Sequence, residues 1–250
     1  MKKVWLSNEL LKWEYTPSGG SVMNPKYKQR AYEIWEHANE LIERETEKFN
    51  LEDAIINLKR AIDQRLKLIE EIYEFKKKNT EYKNIPYLEL LEKFGIIRNH
   101  MMKKLLQIRN GIEHRDENAP SKERCKELSD MVWYFLKSTD DIVSVKRQYI
   151  DINIGYEYEE SPYGFDMKVN YDNGVEFFIS GWIPYEYIKE AKEREFLIVN
   201  ANDIHNKEHF KNKKWYDELH KDKKDSDIWI SGVFELDENY KLEIIRKIFK

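Results

Sequence analysis

The chain has 250 residues, of which 36% are charged, 41% hydrophobic and 14% aromatic. This composition excludes a disordered chain and predicts one large or two modest globular domains. The formal net charge of −4 excludes the overall basic surface that is typical of non-specific nucleic-acid binding.

The first twenty residues carry an ambiguous pattern, which we interpret as a short helix followed by a flexible loop. The loop is predicted at Thr16–Ser21, where Pro, Ser and Gly are concentrated. The residues expected to pack from the short helix are Trp5, Leu6, Leu10, Leu11 and Trp13.

Four long helical segments follow, because apolar residues recur at spacings of three and four up to about Val145. The first two are predicted at 25–48 and 51–77. The third starts after Pro86 and ends at the loop 116–120, and the fourth is capped by Ser121. Four amphipathic stripes of this kind predict a helical bundle.

From about residue 150 the pattern changes to strands, in which apolar and polar residues alternate. Asn173-Gly174 lies between two alternating runs and predicts a hairpin. A second hairpin is predicted from 228–236 and 240–249, with a polar helical insert at 202–221 between the two. The fold expected is α+β: an N-terminal up-and-down helical bundle over 1–147, then a small, mainly antiparallel β domain over 148–250 that is an OB-like or SH3-like barrel.

The candidate catalytic residues are Arg109, Asn110 and His114, near the end of the third helix. Asn110 and His114 are four residues apart and share a helix face, which lies opposite the apolar stripe. Histidine transfers protons near neutral pH, arginine presents a permanent cationic fork to phosphate, and asparagine can orient either. The run Arg109–His114 is also compatible with an ordinary polar helix C-terminus.

This hexapeptide resembles the Arg-x4-His signature of the HEPN family, in which Asn commonly follows the Arg. The resemblance covers the motif, its place late in a long helix and the helical region from about Pro25 to Val145. It implies a metal-independent endoribonuclease of a phage-defence or toxin–antitoxin-like system. It also implies a homodimer in which two Arg109/His114 sets share one cleft. A non-catalytic dimeric module that binds RNA or a protein partner is the alternative.

Positive charge is concentrated around the motif, and we expect Lys103, Lys104 and Arg115 to bind the RNA substrate. Between Arg98 and Lys126 there are eight Lys or Arg residues and four acids. The eight are Arg98, Lys103, Lys104, Arg109, Arg115, Lys122, Arg124 and Lys126, and the four are Glu113, Asp116, Glu117 and Glu123.

Two further patterns suggest other chemistry. His205-x-x-Glu208-His209 has the spacing of an inverted zinc-protease motif, with His220 as a third ligand, but its Lys-rich surroundings favour a solvated helix. The β domain is rich in aromatic residues that either pack in strands or stack on bases, and it is the expected site for a protein partner or antitoxin. These residues are Tyr156, Tyr158, Tyr163, Trp182, Tyr185, Tyr187 and Trp229.

The expected compartment is the cytoplasm. The sequence has no apolar run long enough to cross a membrane, and no signal peptide follows Met1. Cys125 is the only cysteine, which excludes an intrachain disulfide and fits a reducing environment. We expect no cofactor, no metal and no membrane partner.

Overall fold

The computed structural model describes residues 2–24, 28–44, 49–77, 80–115, 117–153, 163–171, 174–189, 196–211 and 223–250. The chain divides into two compact units. The sheet unit comprises Met1–Gly20 with Arg147–Ile248, and the helical unit comprises Ser21–Lys146 with Phe249–Lys250.

The strands among the described residues form one eight-stranded sheet. Its strands are β1 (Lys2–Ser7), β2 (Glu14–Val22), β3 (Val145–Asn153), β4 (Gly164–Asn170), β5 (Glu176–Ile183), β6 (Ile188–Lys189), β7 (Phe196–His205) and β8 (Ile228–Glu235). They lie in the order β2-β3-β4-β5-β8-β7-β1-β6. From β3 to the far end of this order at β6, each strand is antiparallel to its neighbours.

Strand alternation gives the sheet one apolar face and one polar face over β3, β4 and β5. Ile150, Met167 and Ile179 are aligned across these strands and are all buried on what we call the inner face. The residues between them point the opposite way, to the outer face. Asp151, Asp166 and Ser180 are aligned there in the next row.

The helical unit contains six α-helices among its described residues. They are α1 (Arg30–Arg44), α2 (Asn50–Tyr73), α3 (Tyr87–Lys93), α4 (His100–Arg115), α5 (Lys122–Ser138) and α6 (Asp140–Ser144). The long helix α2 packs against α1, α4, α5 and α6, and α1 also packs against α5. The first, second and fourth predicted helices are therefore confirmed, whereas the third is divided into α3 and α4. Ser121 caps α5, because its hydroxyl accepts a hydrogen bond from the Arg124 amide.

The predicted N-terminal helical bundle followed by a β domain is wrong, because the chain begins with strands. The expected short helix and loop are instead β1, a 3₁₀ turn at Asn8–Lys12, and β2. β1 lies between β7 and β6, with Trp5 opposite both Ile198 and Lys189. Local spacing missed this strand because its partners lie almost 200 residues later in the chain.

The predicted small barrel over 148–250 is also wrong. In the part of the chain that the structure describes, the strand order is linear, with β2 at one end and β6 at the other. The segment predicted as the last strand is instead a helix, α7 (Glu238–Ile248). Asp237 caps it, since its carboxylate accepts a hydrogen bond from the Tyr240 amide at 3.0 Å. Ile244, Ile245 and Ile248 are buried at helical spacing.

The hairpin predicted around Asn173-Gly174 is confirmed by the antiparallel pairing of β4 with β5, although residues 172 and 173 lie outside the described residues. The insert predicted as helical at 202–221 begins as the end of β7 and continues as a 3₁₀ turn at Lys207–Phe210. Residues 212–221 of that insert lie outside the described part of the chain.

Candidate functional site

The helix α4 carries the motif, and its orientation differs from the one that the apolar stripe predicts. Its buried side chains include Met102 and Leu105, whereas Ile108 and Ile112 are only half-buried. Arg109 follows Leu105 by four residues and therefore continues the buried row. Its side chain is 23% exposed.

The guanidinium of Arg109 is held by two neighbours on its own helix. Nη1 donates a hydrogen bond to Oδ1 of Asn110 at 3.0 Å, and Nη2 forms an ion pair with Glu113. The Nε atom is buried and has no hydrogen-bond partner among the described residues. Arg109 therefore keeps one unsatisfied donor although its charge is compensated. The partner Glu113 was missed by the sequence prediction, although its position four residues after Arg109 is a known pairing distance on helices.

Asn110 and His114 are both exposed. The helix extends to Arg115, so the two side chains share one face of α4 at successive turns. Within the described part of the chain, no hydrogen bond or ion pair joins His114 to Arg109 or Asn110. The structure thus brings Arg109 and Asn110 together and leaves His114 open to solvent one turn away.

Gly111 is buried beneath the side chain of Glu117, which follows the helix. The Glu117 amide donates a hydrogen bond to the Gly111 carbonyl at 3.2 Å, and a Cβ atom at Gly111 would lie 2.2 Å from Oε2 of Glu117. Oε1 of the same carboxylate forms an ion pair with Nε of Arg115 at 2.9 Å. The space that the missing side chain leaves is therefore occupied by this carboxylate.

The three predicted substrate-binding residues are all exposed, and two of them have acidic partners. Lys103 pairs with Glu89 at 3.2 Å, and Arg115 pairs with Glu117. Lys103 and Arg115 are separated by about 18 Å along the helix axis, given a rise of about 1.5 Å per residue. Such exposed ion pairs are weak, so a phosphate can displace the acid in each case.

The aromatic residues proposed as base-stacking candidates belong mainly to the packing of the sheet unit. Trp182 and Phe210 are buried, and Tyr163 and Trp229 pack against them. The Tyr163 hydroxyl donates a hydrogen bond to Asp227 at 2.6 Å, and partial burial together with this contact raises the pKa of Tyr163 to about 12. Tyr185 is 63% exposed, whereas Tyr187 makes an edge contact with Trp13, and Tyr156 and Tyr158 lie outside the described residues.

His205 and His209 do come together, but not on the face of an α-helix. His205 ends β7, His209 lies in the 3₁₀ turn, and their rings stack at a centroid distance of 3.7 Å. Stacked rings direct their nitrogen lone pairs away from a shared point, which does not suit a zinc ion. His220 lies outside the described residues, among which no group of three or more His, Cys, Asp or Glu residues is placed to hold a metal.

Comparison of the chain with models of protein families, with curated proteins and with solved structures found no match. The similarity to the HEPN family therefore depends on the hexapeptide and on the helices around it. None of the helices in the described ranges has the length and apolar character needed to cross a membrane.

Proposed function

We propose that this protein is a HEPN-type endoribonuclease that cleaves RNA at helix α4. The observation that carries the proposal is the grouping of an arginine–asparagine contact with an exposed histidine on the last turns of one helix. The cleavage would be independent of metal ions and would occur in the cytoplasm, as part of a phage-defence or toxin–antitoxin-like system. The sheet unit would recognise the RNA, a protein partner or an antitoxin.

RNA supplies its own nucleophile, so the protein needs only to move protons and stabilise charge. A base takes the proton of a 2′-hydroxyl, the 2′-oxygen attacks the adjacent phosphorus, and the bond from phosphorus to the 5′-oxygen breaks. An acid then protonates the leaving 5′-oxygen, and a 2′,3′-cyclic phosphate remains. His114 can act as the base or the acid, and Arg109 can neutralise the phosphorane oxygens.

A single imidazole cannot readily serve as base and acid in the same step. A second copy of the chain would contribute another Arg109 and His114, and the exposed position of His114 leaves room for this. The aromatic pair of Trp133 with Tyr134, which is 68% exposed, adds apolar surface to the same unit. We therefore propose a two-fold symmetric homodimer as the active species.

The test is incubation of the purified full-length protein with total RNA in EDTA, followed by mapping of the cleaved ends. We expect the products to carry 2′,3′-cyclic phosphate termini. We expect Arg109→Ala and His114→Ala each to reduce the cleavage rate by at least about 100-fold, because groups that transfer protons or stabilise charge contribute at least this much. His100→Ala is the matched control, because His100 is an exposed histidine at the opposite end of the same helix.

Equal cleavage by wild type and His114→Ala would contradict the proposal. The helical circular-dichroism signal of each variant must match wild type, because loss of helicity would indicate that the motif only ends α4. Sedimentation at micromolar concentrations measures the dimer separately, and a protein that cleaves as a monomer would contradict the two-copy site.

The second candidate is a non-catalytic dimeric module that binds RNA or a protein partner. The ion pair of Arg109 with Glu113 favours it, because a guanidinium already neutralised by a carboxylate is less available to a phosphorane. RNA binding that needs Arg109 but leaves the RNA intact would favour this candidate over the ribonuclease.

A further inference from the structure

The outer face of the sheet contains a concavity of about 540 Å³ over β2, β3, β4 and β5. This volume is within the range of about 300–1,000 Å³ that is typical of small-molecule sites. Its lining combines aromatic, acidic, basic and hydroxyl side chains, which include Tyr149, Asp151, Asp166, Lys168, Phe178 and Ser180.

The strand register arranges these side chains in two adjacent rows. Asp151 lies opposite Asp166, which in turn lies opposite Ser180. In the next row, Tyr149 lies opposite Lys168, which lies opposite Phe178. Residues directly opposite one another in antiparallel strands point to the same face, so a carboxylate row borders a row with two aromatic rings.

The two carboxylates oppose each other without a cation between them. Partial burial raises the pKa of Asp166, and the charge of Asp151 and a side-chain hydrogen bond with Asp151 raise it further. Lys168 is on the same face, but its ammonium lies over the ring of Tyr149, 5.6 Å from the centroid. Among the described residues, neither aspartate forms an ion pair with a cation. Like charges directly opposite in a sheet are destabilising, so this pair costs stability unless a proton or a cation lies between the two carboxylates.

We propose that this concavity binds a small organic amine. The ammonium would lie between Asp151 and Asp166, and the apolar part of the ligand would pack against Phe178 and Tyr149. Ser180 would supply a hydroxyl for a polar substituent of the ligand. The Tyr149 ring is already in contact with an ammonium, that of Lys168, which shows that the wall of the concavity suits this group.

The lining favours an organic monocation over a metal ion. Calcium and magnesium take about six or more oxygen ligands, whereas the concavity offers two carboxylates beside an aromatic and apolar wall. Lys168 would also repel a compact dication more strongly than a monocation. A ligand with one amine and an apolar chain satisfies the carboxylates, and it covers Phe178 without bringing a second charge near Lys168.

The test is isothermal titration calorimetry of the full-length protein with n-pentylamine, with 1-pentanol as the uncharged comparison. We expect saturable binding of one pentylamine per chain and none of pentanol. Asp151→Asn and Asp166→Asn should each weaken binding by about 10-fold or more, because each removes a charged hydrogen-bond acceptor. Tyr149→Leu should weaken it by several-fold through loss of the ring.

Asp203→Asn is the matched control. Asp203 lies opposite Ser231, which lies opposite Ser180, so it belongs to the carboxylate row but lies on β7, outside the concavity. Its substitution should leave pentylamine binding unchanged. Absence of saturable binding to wild type would overturn the proposal whether or not a variant folds. Equal weakening by Asp203→Asn, or saturable binding of magnesium without binding of pentylamine, would also overturn it.

Discussion

The buried network around Arg65 gives the most quantitative prediction for the helical unit. The Arg65 side chain is fully buried on α2. Its Nη1 donates to the Leu136 carbonyl at 3.0 Å and to the Thr139 hydroxyl at 3.1 Å. Nη1 and Nη2 both donate to Oδ1 of Asp140, at 3.0 and 2.9 Å. The other oxygen of Asp140 accepts the Tyr32 hydroxyl at 2.7 Å, and burial followed by this contact raises the pKa of Tyr32.

Asp140→Asn removes the negative charge and nearly preserves the shape of the side chain. Breaking a buried ion pair by removing one partner costs about 3–5 kcal/mol, because the remaining charge is uncompensated. The Asp140 side chain is 32% exposed, so water offsets part of the loss, and we expect about 2–3 kcal/mol. With an unfolding slope of about 2 kcal/mol per molar urea, the midpoint would fall by about 1–1.5 M.

The assay is urea unfolding followed at 222 nm, where the long helices dominate the signal. Glu71→Gln on α2 is the control, because its pair with Lys67 is long, at 3.9 Å, and both side chains are more than half exposed. It should lose less than about 1 kcal/mol. The double variant Arg65→Met with Asp140→Asn should recover stability relative to Asp140→Asn alone, since no buried charge remains. Equal midpoints for Asp140→Asn and Glu71→Gln would refute this reasoning.

Three further predictions concern single groups. Tyr163→Phe should reduce the loss of stability at alkaline pH. The contribution of the protonated Tyr163 is fully present below about pH 10, and it is lost as pH rises through about 12, because the pKa of Tyr163 is raised in the folded state. Urea unfolding midpoints at a series of pH values measure this loss. Asp166→Asn should stabilise the sheet unit at pH 7 by about 0.2–1 kcal/mol, because it removes the repulsion between Asp151 and Asp166. The wild-type protein should gain stability on acidification through the raised pKa of Asp166. An unchanged urea midpoint in either experiment would contradict this. Glu113→Gln should tighten RNA binding by up to about 5-fold in fluorescence anisotropy, because it releases Arg109, and weaker binding would count against that role.

The helices were predictable because their signals are local. The buried residues of α5 recur at helical spacing, and its Ser121 cap immediately precedes it. The signals at the end of α4 are equally local, and the separation of four residues between Arg109 and Glu113 is enough to predict their pairing. The same rule applies to α7, where Asp237 marks the cap, although 240–249 is predicted above as the second strand of a hairpin.

The sheet was less predictable because its partners are distant in the chain. Nothing within Lys2–Ser7 indicates that β1 lies between β6 and β7, since the pairing is made with residues beyond 187. The two aspartates of the outer face are 15 positions apart, and only the register of β3 against β4 places them opposite each other. A one-residue shift in that register would have put the two on opposite faces of the sheet.

Both proposals concern places where the chain departs from its own local rules. On the polar outer face of the sheet, Asp151 lies directly opposite Asp166 although both side chains are acidic. On α4, Arg109 follows the buried Leu105 by one turn, and its buried Nε has no hydrogen-bond partner among the described residues. Neither arrangement adds to folding stability by itself, because opposed like charges and an unsatisfied buried donor both carry a cost. Departures of this kind are expected where a site serves binding or catalysis, so these two positions are the ones at which substitution should change function more than stability.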